Sequence, residues 1–247
     1  MSRKIIFLIF ISIYSCIAAQ TYEFDYYVRT KIENTGNKAW STQDNMINSK
    51  NLSYIAKVHN AHHKGFLEVE VLDYDQKVIH FFEIENTDDF SDSKNFKYSY
   101  SAHLEVSDKS IKEMSSSVYK QKDSEGSAEL KKVFIEKFKK DTSKNPEFTI
   151  SADLQKVDGD LRPYALAMMT NSLMKYLKIE ISEMGFISNA EIKYNKKTTV
   201  LYHSEILAKE NIKLYVDPKE IKLPEKDPKS QEERLNEIVE DIKRNNK

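Results

Sequence analysis

Residues 51–85 carry the clearest alternation of hydrophobic and polar positions in the chain. In the segment FLEVEV, Leu67, Val69 and Val71 alternate with two glutamates. Because successive side chains of a β-strand point to opposite faces, this alternation predicts a strand with one buried face. The flanking segments LSYIAKV and VIHFFEI are rich in β-branched and aromatic residues, and the connections between the three segments are short and polar. The stretch therefore predicts three consecutive antiparallel strands.

Seven further segments have the character of strands, at residues 20–32, 44–49, 96–106, 147–154, 186–194, 198–207 and 211–216. Residues 129–140 fit both a helical stripe and a strand face, and the turn-rich segment that follows them favours the strand. Residues 34–43 are predicted as a loop, and residues 107–126 have little pattern. Residues 160–178 predict the main helix, because apolar residues recur at helical spacing and Pro163 lies in the first turn.

These elements predict a mainly β protein of the α+β class. We expect a large curved antiparallel sheet, either a half-barrel or a sandwich, with one packed helix and a C-terminal amphipathic helix. Residues 20–216 form a single β-rich domain in this interpretation, and residues 217–229 form a charged linker that contains prolines. Residues 230–247 are predicted as a helical tail, which begins with a capping box of Ser230 and Glu233.

Residues 1–19 have the features of a secretory signal peptide. A basic pair precedes an apolar run that is too short to cross a hydrocarbon core of roughly 30 Å, and Ala19 completes a small-residue cleavage site. We therefore expect export to the periplasm, the cell surface or the medium, without a transmembrane span. Lipid anchoring through Cys16 is the less favoured alternative, because Tyr14 fits a lipobox poorly. Cleavage after Ala19 would remove the single cysteine, so no disulfide or thiolate metal site is expected.

Composition argues against two classes of partner. Charged residues make up 31% of the chain but sum to a net charge of -1, whereas a nucleic-acid-binding protein needs a basic excess or patch. The chain has only five glycines and none of the glycine-rich phosphate-binding motifs. We therefore expect no nucleic-acid partner, no nucleotide bound through those motifs and no cofactor.

His59, His62 and His63 form the one histidine cluster of the sequence. Neutral imidazoles bind Zn²⁺ and Cu²⁺ well, so the three are candidate metal ligands. A mobile turn rarely meets the angles of a tetrahedral site, and a carboxylate such as Glu68 or Asp73 would have to be supplied by the fold. A solvated hairpin turn is therefore the favoured interpretation, and a metal site is the alternative.

The predicted main helix contains the candidate ligand-binding residues, which are Leu166, Met168, Met169, Leu173 and Met174. Methionine is flexible and polarisable, and it is common on surfaces that accept variable apolar ligands. Against the concave side of a curved sheet, such a helix would line a lipid-sized cleft. The simpler alternative is that the helix only completes the hydrophobic core.

Two stretches carry a resemblance to known proteins. The segment NMINSKNLSY at residues 45–54, with LDY and HFF further along, resembles secreted β-rich proteins of the Bacteroidota that have no assigned activity. From residue 185 onward, a strand, a lysine-rich turn, a second strand and a charged helix resemble the GLPGLI-type family, although its defining hexapeptide is absent. The resemblance implies an exported β-sheet protein and transfers no catalytic residue.

Three functions are compatible with these features. The first is a non-enzymatic exported protein that binds an apolar small molecule, a lipid or a protein partner. The second is a secreted hydrolase or metalloprotein that uses the histidine cluster. The third is a structural or assembly component that docks through its tail helix. The sequence does not predict an oligomeric state.

Overall fold

The structure is a computed structural model that describes residues 20–61, 65–85, 92–127, 129–194 and 198–224. Four of the predictions above lie wholly or partly outside these residues: the signal peptide with Cys16, the turn histidines His62 and His63, residues 225–229 of the charged linker, and the tail helix.

Twelve strands of the described residues form one sheet. They are β1 (Gln20–Asn34), β2 (Ala39–Ile47), β3 (Tyr54–Asn60), β4 (Phe66–Asp73), β5 (Val78–Glu85), β6 (Lys97–His103), β7 (Val118–Gly126), β8 (Leu130–Phe138), β9 (Phe148–Gln155), β10 (Lys178–Glu180), β11 (Phe186–Lys193) and β12 (Thr199–Val216). Their order across the sheet is β10-β7-β8-β9-β11-β12-β1-β2-β3-β4-β5-β6. Every neighbouring pair is antiparallel except β10 with β7. The prediction of a mainly β protein with a large antiparallel sheet is confirmed.

The main predicted helix is shorter than expected. Helix α2 covers Arg162–Thr170 and ends at Asn171, whose backbone is left-handed with φ 50° and ψ 47°. A 3₁₀ turn at Met174–Tyr176 and strand β10 follow. The prediction of a helix through residue 178 is therefore wrong in its second half, because asparagine tolerates the left-handed conformation that ends a helix.

Three further expectations need correction. Residues 107–126 contain helix α1 (Asp108–Ser116) and β7, and Ser107 caps α1 by accepting a hydrogen bond from the amide of Ser110. The loop predicted at residues 34–43 is partly strand, because β2 begins at Ala39. The two strands predicted on either side of residue 209 are the single long strand β12.

Two hydrophobic clusters lie on opposite faces of the sheet. The first surrounds α2 and includes Ile47 and Ile55, and the second includes their chain neighbours Met46 and Ala56. Adjacent residues of a strand point to opposite faces, so the middle strands contribute to both clusters. This arrangement explains why these strands carry so many apolar residues on both sides.

The sheet curls strongly between β12 and β6. The 3₁₀ turn Ser93–Asn95 that precedes β6 contacts β12, although five strands separate β12 from β6 in the sheet. Phe96 and Ile212 belong to the same buried cluster, and Nε2 of His103 lies 3.1 Å from the carbonyl oxygen of Pro224. The second cluster is therefore enclosed by the curled half of the sheet, and the first lies on the other face with α2.

Each of the two α-helices has nine residues, whereas a helix that crosses a bilayer needs about 20 apolar residues. The described part of the chain accordingly contains no candidate transmembrane helix.

Candidate functional site

Helix α2 is almost completely buried. Seven of its nine residues are buried, and the other two, Met168 and Thr170, are partly exposed. Pro163 lies in the first turn, where its missing amide proton breaks no helical hydrogen bond. A helix that is apolar on every side is stable only when other elements surround it. The first hydrophobic cluster provides that environment.

The five residues predicted to bind an apolar ligand all join this cluster. Leu166, Met169 and Met174 are buried in it, and Met168 and Leu173 pack against it while half-buried. Leu173 and Met174 do so from the 3₁₀ turn rather than from the helix. The fold thus brings the five together, and ligand binding by them stays a prediction.

A group of buried polar side chains lies where α2 packs against the sheet. Thr30, Asn45, Tyr164 and Tyr202 are all between 0% and 2% exposed. Nδ2 of Asn45 donates a hydrogen bond of 3.0 Å to the hydroxyl oxygen of Tyr164. Burial raises the pKa of both tyrosines, so both phenols stay neutral. Within the described part of the chain, Oδ1 of Asn45 and the hydroxyl of Tyr202 have no hydrogen-bond partner.

Sequence reasoning missed this polar group. Val200 and Tyr202 alternate along a predicted strand, which is a signal that Tyr202 faces the core. Asn45 lies in the polar segment DNMINS, where its burial has no local signal. Only the packing of α2 against β2 buries it.

Arg162 anchors the start of α2. Its guanidinium makes two hydrogen bonds of 2.7 Å to the carboxylate of Asp160 and donates to the carbonyl oxygens of Ile181 and Glu183. The side chain is only 8% exposed. A buried guanidinium must have its charge and its N–H groups matched, and these partners do so. The helix is therefore held in position at its first residue.

The structure places His59 in β3 beside two glutamates of β4. His59 lies directly opposite Glu68 in the antiparallel register, and Glu70 is two positions further along β4. Nε2 of His59 is 3.2 Å from Oε1 of Glu70, and one donor atom from each of the three side chains lies within 4.8 Å of the others. His62 and His63 are not among the described residues, so the predicted three-histidine site stays a prediction.

The electrostatics of this cluster follow from its hydrogen bond. The contact with Glu70 raises the pKa of His59, and the same contact lowers the pKa of Glu70. The positive charge of Lys57 lowers both pKa values, so it opposes the rise for His59 and adds to the decrease for Glu70. The imidazole is partly exposed, with 42% of its side-chain surface accessible, so the site faces solvent.

His80 forms a separate buried network within the second hydrophobic cluster. Its Nδ1 is 2.7 Å from Oγ of Ser101, which is also 2.7 Å from the hydroxyl of Tyr98. The carboxylate of Asp73 instead accepts hydrogen bonds from the Tyr22 hydroxyl and from amides of its own turn. The serine, histidine and aspartate are thus close together without the hydrogen bond between His80 and Asp73 that a catalytic triad needs. His80 and Ser101 are also inaccessible to solvent, at 0% and 2% exposure.

No protein-family model and no curated protein matches the sequence. Among solved structures, the chain is similar to the crystal structure of a DUF1329 family protein from Desulfovibrio piger, with a TM-score of 0.24 and 7% sequence identity. The match covers 81% of this chain and 89% of that chain. So weak a similarity supports no conclusion about fold or function.

Proposed function

We propose that the protein is a non-enzymatic, exported binding protein for an amphipathic molecule. The bound molecule has an apolar chain and a hydrogen-bonding head group, and it lies between α2 and the sheet. The observation that carries the proposal is that Oδ1 of Asn45 and the hydroxyl of Tyr202 have no hydrogen-bond partner among the described residues.

Two unpartnered polar atoms in an apolar core are energetically costly. Leaving a buried donor or acceptor unsatisfied costs about 1–3 kcal/mol per group, and native proteins satisfy the great majority of such groups. A ligand hydroxyl donates to Oδ1 of Asn45 and accepts from the hydroxyl of Tyr202, so one small head group matches both. Both atoms lie near the Tyr164 hydroxyl, which bonds to Asn45 and interacts electrostatically with Tyr202.

One face of α2 extends from this polar group to the partly exposed side chain of Met168. Met168 follows Tyr164 by four residues, so both lie on one face of α2, one turn apart. Leu173 and Leu177 pack against the same cluster and are also half-buried. Soft, partly exposed side chains of this kind adapt to an apolar chain without a preformed rigid pocket.

Native mass spectrometry of the protein purified from its own cells tests the proposal. We expect a mass excess that matches one small amphipathic molecule and disappears on denaturation. A bare protein mass that also fails to take up added fatty alcohol or fatty acid would contradict the proposal.

The Tyr202→Phe variant tests the role of the head-group contact. Without a ligand, the variant should be more stable to urea by about 1–3 kcal/mol, because it removes a buried unpaired hydroxyl. It should also bind the fatty alcohol or acid more weakly than the wild type. Tyr215→Phe is the matched control, because Tyr215 lies on the same strand and is 51% exposed. Equal ligand affinity in all three proteins would show that Tyr202 makes no such contact.

A further inference from the structure

The hairpin of β3 and β4 carries a group of three polar side chains, His59, Glu68 and Glu70, away from α2. Val58, Val69 and Val71 fill the second hydrophobic cluster from one face of this hairpin. His59 and Glu70 alternate with them in sequence and therefore project from the opposite face. The cross-strand register then sets Glu68 directly opposite His59.

The donor atoms of these three side chains are close enough to share one ion. They lie within 4.8 Å of one another, and Nε2 of His59 is 3.2 Å from Oε1 of Glu70. Metal–ligand bonds of about 2.0–2.2 Å place neighbouring ligands of a tetrahedral zinc ion roughly 3.4 Å apart. Small side-chain rotations therefore bring all three atoms to that spacing. Because the ligands stand on paired strands rather than in a loop, the backbone already holds them in position.

The donor set selects a class of ion. One imidazole nitrogen and two carboxylate oxygens suit Zn²⁺ and Cu²⁺, whereas Ca²⁺ and Mg²⁺ prefer oxygen ligands alone. Two carboxylates also neutralise the charge of a divalent ion. The partial exposure of all three side chains leaves room for water or for a further ligand in the remaining position.

We infer that His59, Glu68 and Glu70 form a binding site for a divalent transition-metal ion, with Cu²⁺ bound more tightly than Zn²⁺. Metal binding replaces the hydrogen bond between His59 and Glu70 with two bonds to the ion. Nε2 gives up the proton of that hydrogen bond, and the metal-bound neutral ring keeps one proton on Nδ1. The order of affinity follows the general preference of nitrogen and oxygen sites for copper.

Isothermal titration of the signal-free chain with Zn²⁺, Cu²⁺ and Ca²⁺ tests this site. We expect one equivalent of Zn²⁺ or Cu²⁺ to bind, with no detectable binding of Ca²⁺. His59→Gln and Glu70→Gln should each weaken Zn²⁺ binding by at least roughly 10- to 100-fold, since losing a ligand costs no less than losing an outer-shell partner. His203→Gln is the matched control, because His203 is exposed on β12 and pairs with Asn189.

A double variant, His62→Ala with His63→Ala, distinguishes this site from the alternative site of His59, His62 and His63. Retained binding in the double variant, together with its loss in His59→Gln, supports the inference. Retained binding in His59→Gln together with its loss in the double variant would overturn it, as would an absence of Zn²⁺ and Cu²⁺ binding to the wild type. Unchanged melting by circular dichroism shows that each variant is folded.

Discussion

At the scale of the residue, burial decides the chemistry of His80 more than its neighbours do. The side chain is 0% exposed, and burial lowers the pKa of the imidazole below 6.5, against a smaller opposing effect of Asp73. The buried ring is therefore neutral, with Nδ1 paired to Ser101. This environment fits a structural role in the core, and it makes the fold sensitive to acid.

The sign of that sensitivity follows from proton linkage. Below pH 6.5 the unfolded chain protonates this histidine while the folded protein does not, so stability falls until the lowered folded pKa is reached. Between pH 7.5 and pH 5.5 this one group should remove up to about 1.4 kcal/mol from the free energy of unfolding. Urea unfolding of the wild type and of His80→Gln at both pH values measures this change in the free energy of unfolding. Parallel pH dependence in the two proteins would contradict the prediction.

At the scale of the element, α2 depends on a charged anchor as well as on its apolar residues. Arg162 connects the first turn of the helix to the carboxylate of Asp160 and to two carbonyl oxygens that precede β11. The short helix has no side-chain hydrogen bond at its N-cap, so these contacts fix where it starts. Further along the helix, Tyr164 accepts a hydrogen bond from Asn45, and Thr170 accepts one from Tyr119.

Arg162→Met should destabilise the protein by about 3–5 kcal/mol, because it leaves the Asp160 carboxylate and the carbonyl oxygens without their partner. Arg162→Lys should also destabilise it, since an ammonium group does not reproduce the planar fork. Chemical denaturation measures both. Lys175→Met is the control: its ion pair with Asp75 is exposed, and its loss should cost no more than about 1 kcal/mol. A loss below 1 kcal/mol in Arg162→Met would show that the anchor contributes little.

At the scale of the whole molecule, one sheet joins two hydrophobic clusters. β1 to β4 supply residues to both of them, so the two clusters share these strands. We therefore expect the two halves of the sheet to unfold together, as the single-domain interpretation of the sequence predicts.

Met46→Ala and Ile47→Ala test this coupling. The two neighbours are 0% and 1% exposed and lie in different clusters, and each change should cost about 2–5 kcal/mol. Both variants should show one unfolding transition, at a lower urea concentration than the wild type, and fluorescence and circular dichroism should report the same transition. Leu201→Ala, at a position 40% exposed, should change stability by no more than about 0.5 kcal/mol. Two separate transitions, each responding to one variant, would show independent halves.

Much of the strand content was predictable because it rests on a local, two-residue period. The three strands of residues 51–85, the buried face of Val69 and Val71 and the strand at residues 129–140 are confirmed. Errors arose where local signals were weak or ambiguous. Helix α1 has few apolar residues, and the end of α2 depends on one left-handed asparagine within an apolar run that continues past it.

The candidate sites required information that no local pattern contains. His59 was recognisable as a candidate metal ligand from its residue type, but its neighbouring carboxylates follow from the register that sets β4 beside β3. Asn45 and Tyr202 are 157 residues apart in the chain, and they share one apolar cluster because the sheet brings β2 and β12 to either side of β1. Local side-chain chemistry thus specifies the strands and the available donors. Long-range strand pairing and helix packing specify which donors meet, because these depend on contacts between segments far apart in sequence.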